Sequence, residues 1–321
     1  MLSLVIQILI FVCVGILNII PAKSQGLPLI RDTEIENLLN DYAASIFKAA
    51  GLGTGRISIR IVNNENFNAF VVDGRNVYVH TGALLQAQTP NEIIGVLAHE
   101  TGHITGGHMA ALRARIAKDQ TKVLLTQILG IGLMVAGGVA GRDSSQNLGG
   151  AGQGILYGGN ELIMRSLTAE RRSQESAADQ AGLSFLNASQ QSGRGMLVTF
   201  ERFAGQELFS EQNRDVYVRS HPVASDRIAR LRELVEGSPY YSKTDPPELQ
   251  LRHDMMRAKL SGYIEGPQTV LNRYPTSDQS LPARYGRAVA RFRLGGSGSL
   301  ETALSEVDQL IKVNPNNPFF W

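Results

Sequence analysis

The sequence predicts an α+β chain: a mostly helical domain with a small β-sheet, followed by an all-α domain of helical repeats. Three patterns carry that reading. Short segments of alternating apolar residues beside a hairpin signal lie between helices with good N-terminal caps. Apolar residues at helical spacing then recur as far as about residue 203. Beyond residue 246, helical patterns of about fifteen residues come in pairs and end in proline, as in tetratricopeptide repeats. The 321 residues give room for roughly two domains at about 150 residues each. A hydrophobic content of 43% against 19% charged residues supports a packed core. The net charge of +2 gives no electrostatic reason to expect nucleic acid as a partner.

The chain opens with an apolar run from Leu2 to Ile20, broken only by Ser3, Gln7, Gly15 and Asn18 and stopped by Pro21. Ala22 and Ser24 stand at the −3 and −1 positions of a cleavage site before Gln25, so residues 1–24 read as a signal peptide. The alternative is an uncleaved anchor, since the run is long enough to span a bilayer and lacks Lys or Arg ahead of it. The only cysteine, Cys13, lies in this run and follows Phe11-Val12, which does not suit lipidation. Any metal site of the mature chain must therefore use His, Asp or Glu.

Residues 25–237 form the first expected domain. Thr33 to Glu36 reads as a capping box opening a helix through Ile35, Leu38, Leu39, Tyr42, Ile46 and Phe47, which Gly51 ends. Arg56 to Val62 alternates as a strand. Ala69–Val72 and Asn76–His80 flank Asp73-Gly74 as a hairpin. Thr89 to Glu92 is a second capping box, with Pro90 at the first helical position, and its helix runs into His99. Val123 to Ala140 is expected to be a helix packed beside the site rather than a membrane span, and residues 141–160 a mobile loop. Further helices are expected from about Glu161 to Leu186 and from about Arg194 to Phe203, and residues 204–220 read as a polar loop. Ser238-Pro239 and Asp245-Pro246-Pro247 read as a linker to the repeats, residues 246–321. There Pro282–Leu294 and Glu301–Val313 form one helical pair, and Leu249–Pro275 a weaker earlier copy. The pattern stops where another repeat helix would begin, so truncation or cover by a partner is expected.

His99-Glu100-Thr101-Gly102-His103 is an H-E-x-x-H motif. On a helix, positions i and i+4 share a face, so both imidazoles can reach one zinc ion, with Glu100 beside them as general base. A catalytic zinc takes three protein ligands and keeps a fourth position open. Glu170, Glu175 and Asp179 lie on the downstream helix. Glu175 is expected as third ligand, with Asp179 one turn on accepting a hydrogen bond from a ligand imidazole. Small residues between the two acids permit close helix packing. His108 follows His103 by five residues, whereas metzincins space their third His by six, so it reads as a local contact. His80 and His253 read as surface or packing residues.

These stretches, with Asn68-Ala69-Phe70, His80 to Leu84 and His221-Pro222 to Arg227, resemble the BepA/HtpX-like zinc metallopeptidases, which include the prenyl-protein endopeptidases. The leading apolar run and trailing repeats resemble the periplasmic BepA-type branch. The resemblance covers roughly residues 30–235 and 246–321. It implies a gluzincin binding one Zn2+ through His99, His103 and Glu175. It also implies that Asn68, Ala69, Phe70 and Val71 line the cleft and pair with an extended substrate by β-augmentation. At the family's Gly-rich hairpin this chain has Val71-Val72-Asp73-Gly74-Arg75, so the edge is expected to be shaped differently. Arg227 is expected either to stabilise the oxyanion or to pair with Asp179 or Glu175. His221 is expected near the zinc, as a fourth ligand that self-inhibits the enzyme, a transition-state donor or a cap contact.

The expected function is a secreted, periplasmic zinc endopeptidase (EC 3.4.24 type) that degrades unfolded or misassembled envelope proteins. Its expected partners are those clients and, through the repeats, the outer-membrane assembly machinery, with peripheral membrane contact compatible. The alternatives are a chaperone or assembly scaffold with minor proteolysis, and an integral membrane protease.

Overall fold

The computed structural model describes residues 27–53, 55–139 and 142–321. The expected signal peptide, with Cys13, lies outside these residues. Among them, four strands form one sheet in the order β1-β2-β4-β3. Strand β1 (Leu29–Ile30) runs antiparallel to β2 (Ser58–Val62), which lies parallel to β4 (Asn76–His80). Strand β3 (Ala69–Val71) pairs antiparallel with β4 and forms the sheet edge. The Asp73-Gly74 signal is realised as a turn. Asp73 accepts hydrogen bonds from the amides of Arg75 and Asn76, and Gly74 takes a positive φ of 73°.

Helix α1 (Thr33–Ala49) corrects the first capping assignment. Asp32, not Thr33, is the N-cap, accepting from the amide of Ile35 at 3.0 Å. Glu36 is thereby released from any capping box and pairs with Arg31 at 2.7 Å. A short helix α2 (Thr81–Gln86), not read from the sequence, follows β4. Helix α3 (Pro90–Thr105) begins with the expected box, Thr89 and Glu92 bonding reciprocally. It is buried along nearly its whole length, packed between α1, β3 and the helices that follow.

Helices α4 (His108–Val139) and α5 (Arg142–Ala188) pack side by side. Helix α4 ends at Val139 and α5 begins at Arg142, and Arg115 near the start of α4 bonds Ser166 and Glu170 just past the middle of α5, so the pair runs antiparallel. Helix α5 overturns the mobile loop expected at 141–160 and the helix start expected at Glu161. Its glycines lower intrinsic helicity, but lateral packing of two long helices outweighs propensity. Among the described residues, no helix is long and apolar enough to cross a membrane.

Helices α6 (Arg194–Arg202), α7 (Val216–Ser220) and α8 (Ser225–Glu236) complete this part. The polar loop expected at 204–220 instead holds two 3-10 turns and α7. The reason is Tyr217. Its ring is fully buried and packs against Phe67 at 5.4 Å and Phe203 at 5.1 Å between centroids.

Residues beyond 246 form helices α9 (Pro247–Ile264), α10 (Pro267–Arg273), α11 (Leu281–Leu294) and α12 (Ser297–Val313). Helix α11 packs against α9, α10 and α12. The expected linker is fastened rather than slack. Ser238 donates to Asn187 at 2.6 Å, Ser192 to the Tyr241 carbonyl at 2.9 Å, and the Asn91 amide to Asp245 at 2.9 Å. Met256 and Leu260 of α9 belong to the same hydrophobic core as α1 and α3. His253 is wholly buried there, accepting from the Tyr42 hydroxyl and donating to the Ala87 carbonyl, each at 3.0 Å. It is a packing residue. Lys259 adds ion pairs to Asp32 and Glu34.

Candidate metal centre

Helix α3 sets two imidazoles on one face. Their Nε2 atoms, on His99 and His103, stand 3.1 Å apart. Helix α5 crosses at Gly102, where an added Cβ would lie 2.6 Å from the Ala178 carbonyl oxygen. That close approach delivers Glu175. Its Oε2 is 3.4 Å from His99 Nε2 and its Oε1 is 3.5 Å from His103 Nε2. His221, at the C-cap of α7, closes the group. Its Nδ1 is 3.2 Å from both His99 Nε2 and Glu175 Oε2. Its Nε2 donates to the Ala69 carbonyl on β3 at 3.1 Å and lies 3.4 Å from Glu100 Oε1. All four donor groups are buried, with ligand atoms within 4.8 Å of one another.

The surrounding side chains hold this arrangement. Asp179 Oδ1 is 2.9 Å from His99 Nδ1, which leaves Nε2 facing the cluster. Arg227 grips Asp179 with Nε at 2.5 Å and Nη2 at 2.8 Å, and its Nη1 reaches Glu175 at 3.0 Å and the Pro222 carbonyl at 2.9 Å. Of the two expectations for Arg227, the pairing is the one this geometry displays. Ser220 donates to Asn68 Oδ1 at 3.0 Å, tying α7 to β3. Arg171 clamps the Ser220 carbonyl at 3.0 Å. Phe70 stacks on Tyr78 at 5.2 Å, and Val71 sits opposite Val77 in the ladder. Sequence reasoning missed the parts played by Tyr217, Ser220, Arg171 and His108. His108 does make a local contact, but its partner is His103, at 3.0 Å between Nδ1 atoms.

The donor set fits a divalent metal on three grounds. Zinc binds imidazole nitrogen at about 2.0–2.1 Å, which makes a tetrahedral edge of roughly 3.3 Å. Between His99 Nε2, His221 Nδ1 and Glu175 Oε2 the separations are 3.2 to 3.4 Å, and His103 Nε2 stands 3.1 Å from His99 Nε2, within a group whose ligand atoms all lie within 4.8 Å of one another. Second, three buried carboxyl groups, Glu100, Glu175 and Asp179, face one guanidinium, an excess of acidic groups that suits a bound cation. The imidazoles register that imbalance. Burial opposes charge on His99, yet hydrogen bonds to Asp179 and Glu175 outweigh it and lift its pKa to about 9. Burial, reinforced by His99, pushes His103 down to about 2. Burial works against the charge on Glu175, but His221, His99 and Arg227 hold it well below the usual carboxylate range. Third, both carboxylate oxygens of Glu100 are buried without a hydrogen-bond partner, and burial pushes this group's pKa up. Two orphaned oxygens beside a cluster of ligand atoms are what a bound water would satisfy.

The description of peptidase family M48 matches residues 30–235. Over 303 residues the chain is 24% identical to the beta-barrel assembly-enhancing protease of Escherichia coli strain K12, and to the protein of that name from Yersinia pestis. Each alignment takes in 91% of this chain and 58% of the relative, so the chain spans little more than half the length of these relatives. It is also 26% identical over 181 residues to the metalloprotease LoiP of Escherichia coli strain K12, covering 56% of this chain and 64% of that one.

Proposed function

The chain belongs to peptidase family M48, and we propose that it is a zinc-dependent endopeptidase acting on unfolded or misassembled proteins of the bacterial envelope. The observation that carries this reading is the buried tetrad of His99, His103, Glu175 and His221 beside an unpartnered Glu100. In this reading His99, His103 and Glu175 hold the zinc. When bound, zinc supplies Lewis-acid polarisation of the scissile carbonyl and acidifies water. Glu100 takes the proton of the attacking water and passes it to the leaving amine. Burial raises its pKa, which favours its taking up the proton of the water. Asp179 orients His99, and Arg227 fixes Asp179 and Glu175 together. Strand β3 is the sheet edge to which an extended peptide would add, and His221 holds its Ala69 carbonyl until α7 withdraws.

His221 would be a fourth donor to a zinc held by His99, His103 and Glu175, where a catalytic zinc would keep a position for substrate. The enzyme is therefore self-inhibited in this conformation, and α7 must withdraw to open it. Helices α9–α12 are read as tetratricopeptide-like repeats that dock clients or the outer-membrane assembly machinery. The name beta-barrel assembly-enhancing protease, carried by the Escherichia coli and Yersinia pestis relatives, supports that partner class, and a periplasmic location is part of the same proposal.

The test is cleavage of casein by the zinc-loaded protein, with Glu100→Gln and His221→Ala beside it. Cleavage that Glu100→Gln abolishes, and that His221→Ala raises, is the expected result. Failure of the wild-type protein to bind zinc would sink the proposal. Silence from both wild type and His221→Ala with zinc bound would leave a client-binding scaffold as the better reading.

A further inference from the structure

The two histidines of the motif are held by different means. His99 leans on Asp179, a carboxylate from α5 that Arg227 fixes in turn. Among the described residues, His103 has no carboxylate at its Nδ1. It meets His108 there, ring to ring at 5.0 Å and Nδ1 to Nδ1 at 3.0 Å, with both residues buried. The backbone is shaped to allow this. Helix α3 ends at Gly106, its C-cap, and Gly107 takes a positive φ of 63°. That turn sends the chain back so that α4 starts at His108, over the last turn of α3. A Cβ on Gly106 would lie 2.3 Å from His108 Nε2, so only glycine leaves room for the ring.

We infer that His108 is a positioning residue for the metal site: an imidazole acceptor that fixes the tautomer and ring plane of His103. The inference rests on the zinc reading proposed above. A ligand Nε2 must offer a lone pair, so the proton of neutral His103 sits on Nδ1. The only atom at hydrogen-bond distance from that proton among the described residues is His108 Nδ1, which must then accept. His108 carries its own proton on Nε2. Without the acceptor, the Nδ1–H of His103 is buried and unsatisfied, and the competing tautomer or a turned ring becomes favourable. Loss of such a partner lowers metal affinity by roughly 10- to 100-fold.

The experiment is zinc affinity of the full chain, measured by competition with a chromophoric chelator. His108→Leu keeps the bulk and removes the acceptor. His108→Asn keeps an acceptor oxygen near the place of Nδ1. The expected result is a loss of roughly 10- to 100-fold for His108→Leu, with His108→Asn much closer to wild type. Gly106→Ala, which displaces the ring without removing it, is expected to fall with His108→Leu. Imidazole 15N spectra of zinc-loaded wild type provide a readout independent of how the variants fold, and should show His103 bound through Nε2 with a protonated, slowly exchanging Nδ1. Wild-type affinity in His108→Leu, or equal losses in the Leu and Asn variants, would overturn the inference, as would a His103 bound through Nδ1. A wild-type chain that binds no zinc would instead remove the proposed function on which it rests.

Discussion

Among the three carboxylates of the site, the most informative is the one that makes no hydrogen bond. Glu100 is buried with both oxygens free, while Glu175 and Asp179 nearby are fully engaged. Three neighbouring carboxylates thus differ in environment, and the difference sorts their expected roles. Glu100→Gln should leave zinc binding intact and reduce casein cleavage by at least about 100-fold, the usual scale of general-base loss. Asp179→Asn should act elsewhere, lowering zinc affinity by about 10- to 100-fold in chelator competition because His99 loses its orienting acceptor. Asp179 was legible from sequence because it follows Glu175 by one helical turn. Arg227 and His221 were legible only through a family likeness, since neither lies near the motif in the chain.

At the level of elements, the site depends on how closely α5 approaches α3. Gly102 lies between the two histidines of the motif and against the backbone of Ala178. Gly102→Ala has no flexible side chain to push aside there. It should destabilise the fold by about 1–3 kcal/mol in urea denaturation and weaken zinc binding by displacing Glu175. Thr89→Ala removes the capping box at the other end of α3 and should cost about 1 kcal/mol without altering the zinc ligands. A comparison of the two variants separates helix stability from helix spacing. Helix α7 was hidden from sequence reasoning because it is short and flanked by polar residues. Its hold on the protein comes from one aromatic ring, Tyr217, seated among Phe67, Phe200 and Phe203.

Over the whole molecule, α9 is the link between the metal-site half and the helices that follow, and His253 is its most buried polar contact. Burial pushes the pKa of His253 down, and both ring nitrogens are used in the neutral form. The unfolded chain has an ordinary histidine there, with a pKa of about 6.5. A depressed histidine is neutral in both states above that value, so its contribution to stability is fully present there. It is lost as pH falls from about 6.5 toward the folded value, because only the unfolded state takes up the proton. Urea denaturation at pH 7.5 and 5.5, with zinc held constant, should therefore show a loss of stability that is smaller in His253→Gln. Equal losses in the two proteins would exclude His253 as a source of the slope.

The sequence by itself determined what is local. The i, i+4 spacing of His99 and His103, the Thr89–Glu92 cap, the Asp73-Gly74 turn and the existence of helices beyond residue 246 are all set by interactions within a few residues. It also limited any metal site among the described residues to His, Asp and Glu, since the one cysteine, Cys13, lies outside them. Only the tertiary structure decided what depends on distant parts of the chain meeting. It continued α5 through a glycine-rich stretch because α4 lies alongside. It seated α7 through Tyr217 and brought His221 within 3.2 Å of His99 across 122 positions of sequence. It also turned His108 back onto His103. A local pattern carries its energy in its own few residues, whereas these contacts arise only when close packing brings the elements together, and that packing has no short-range signature in the chain.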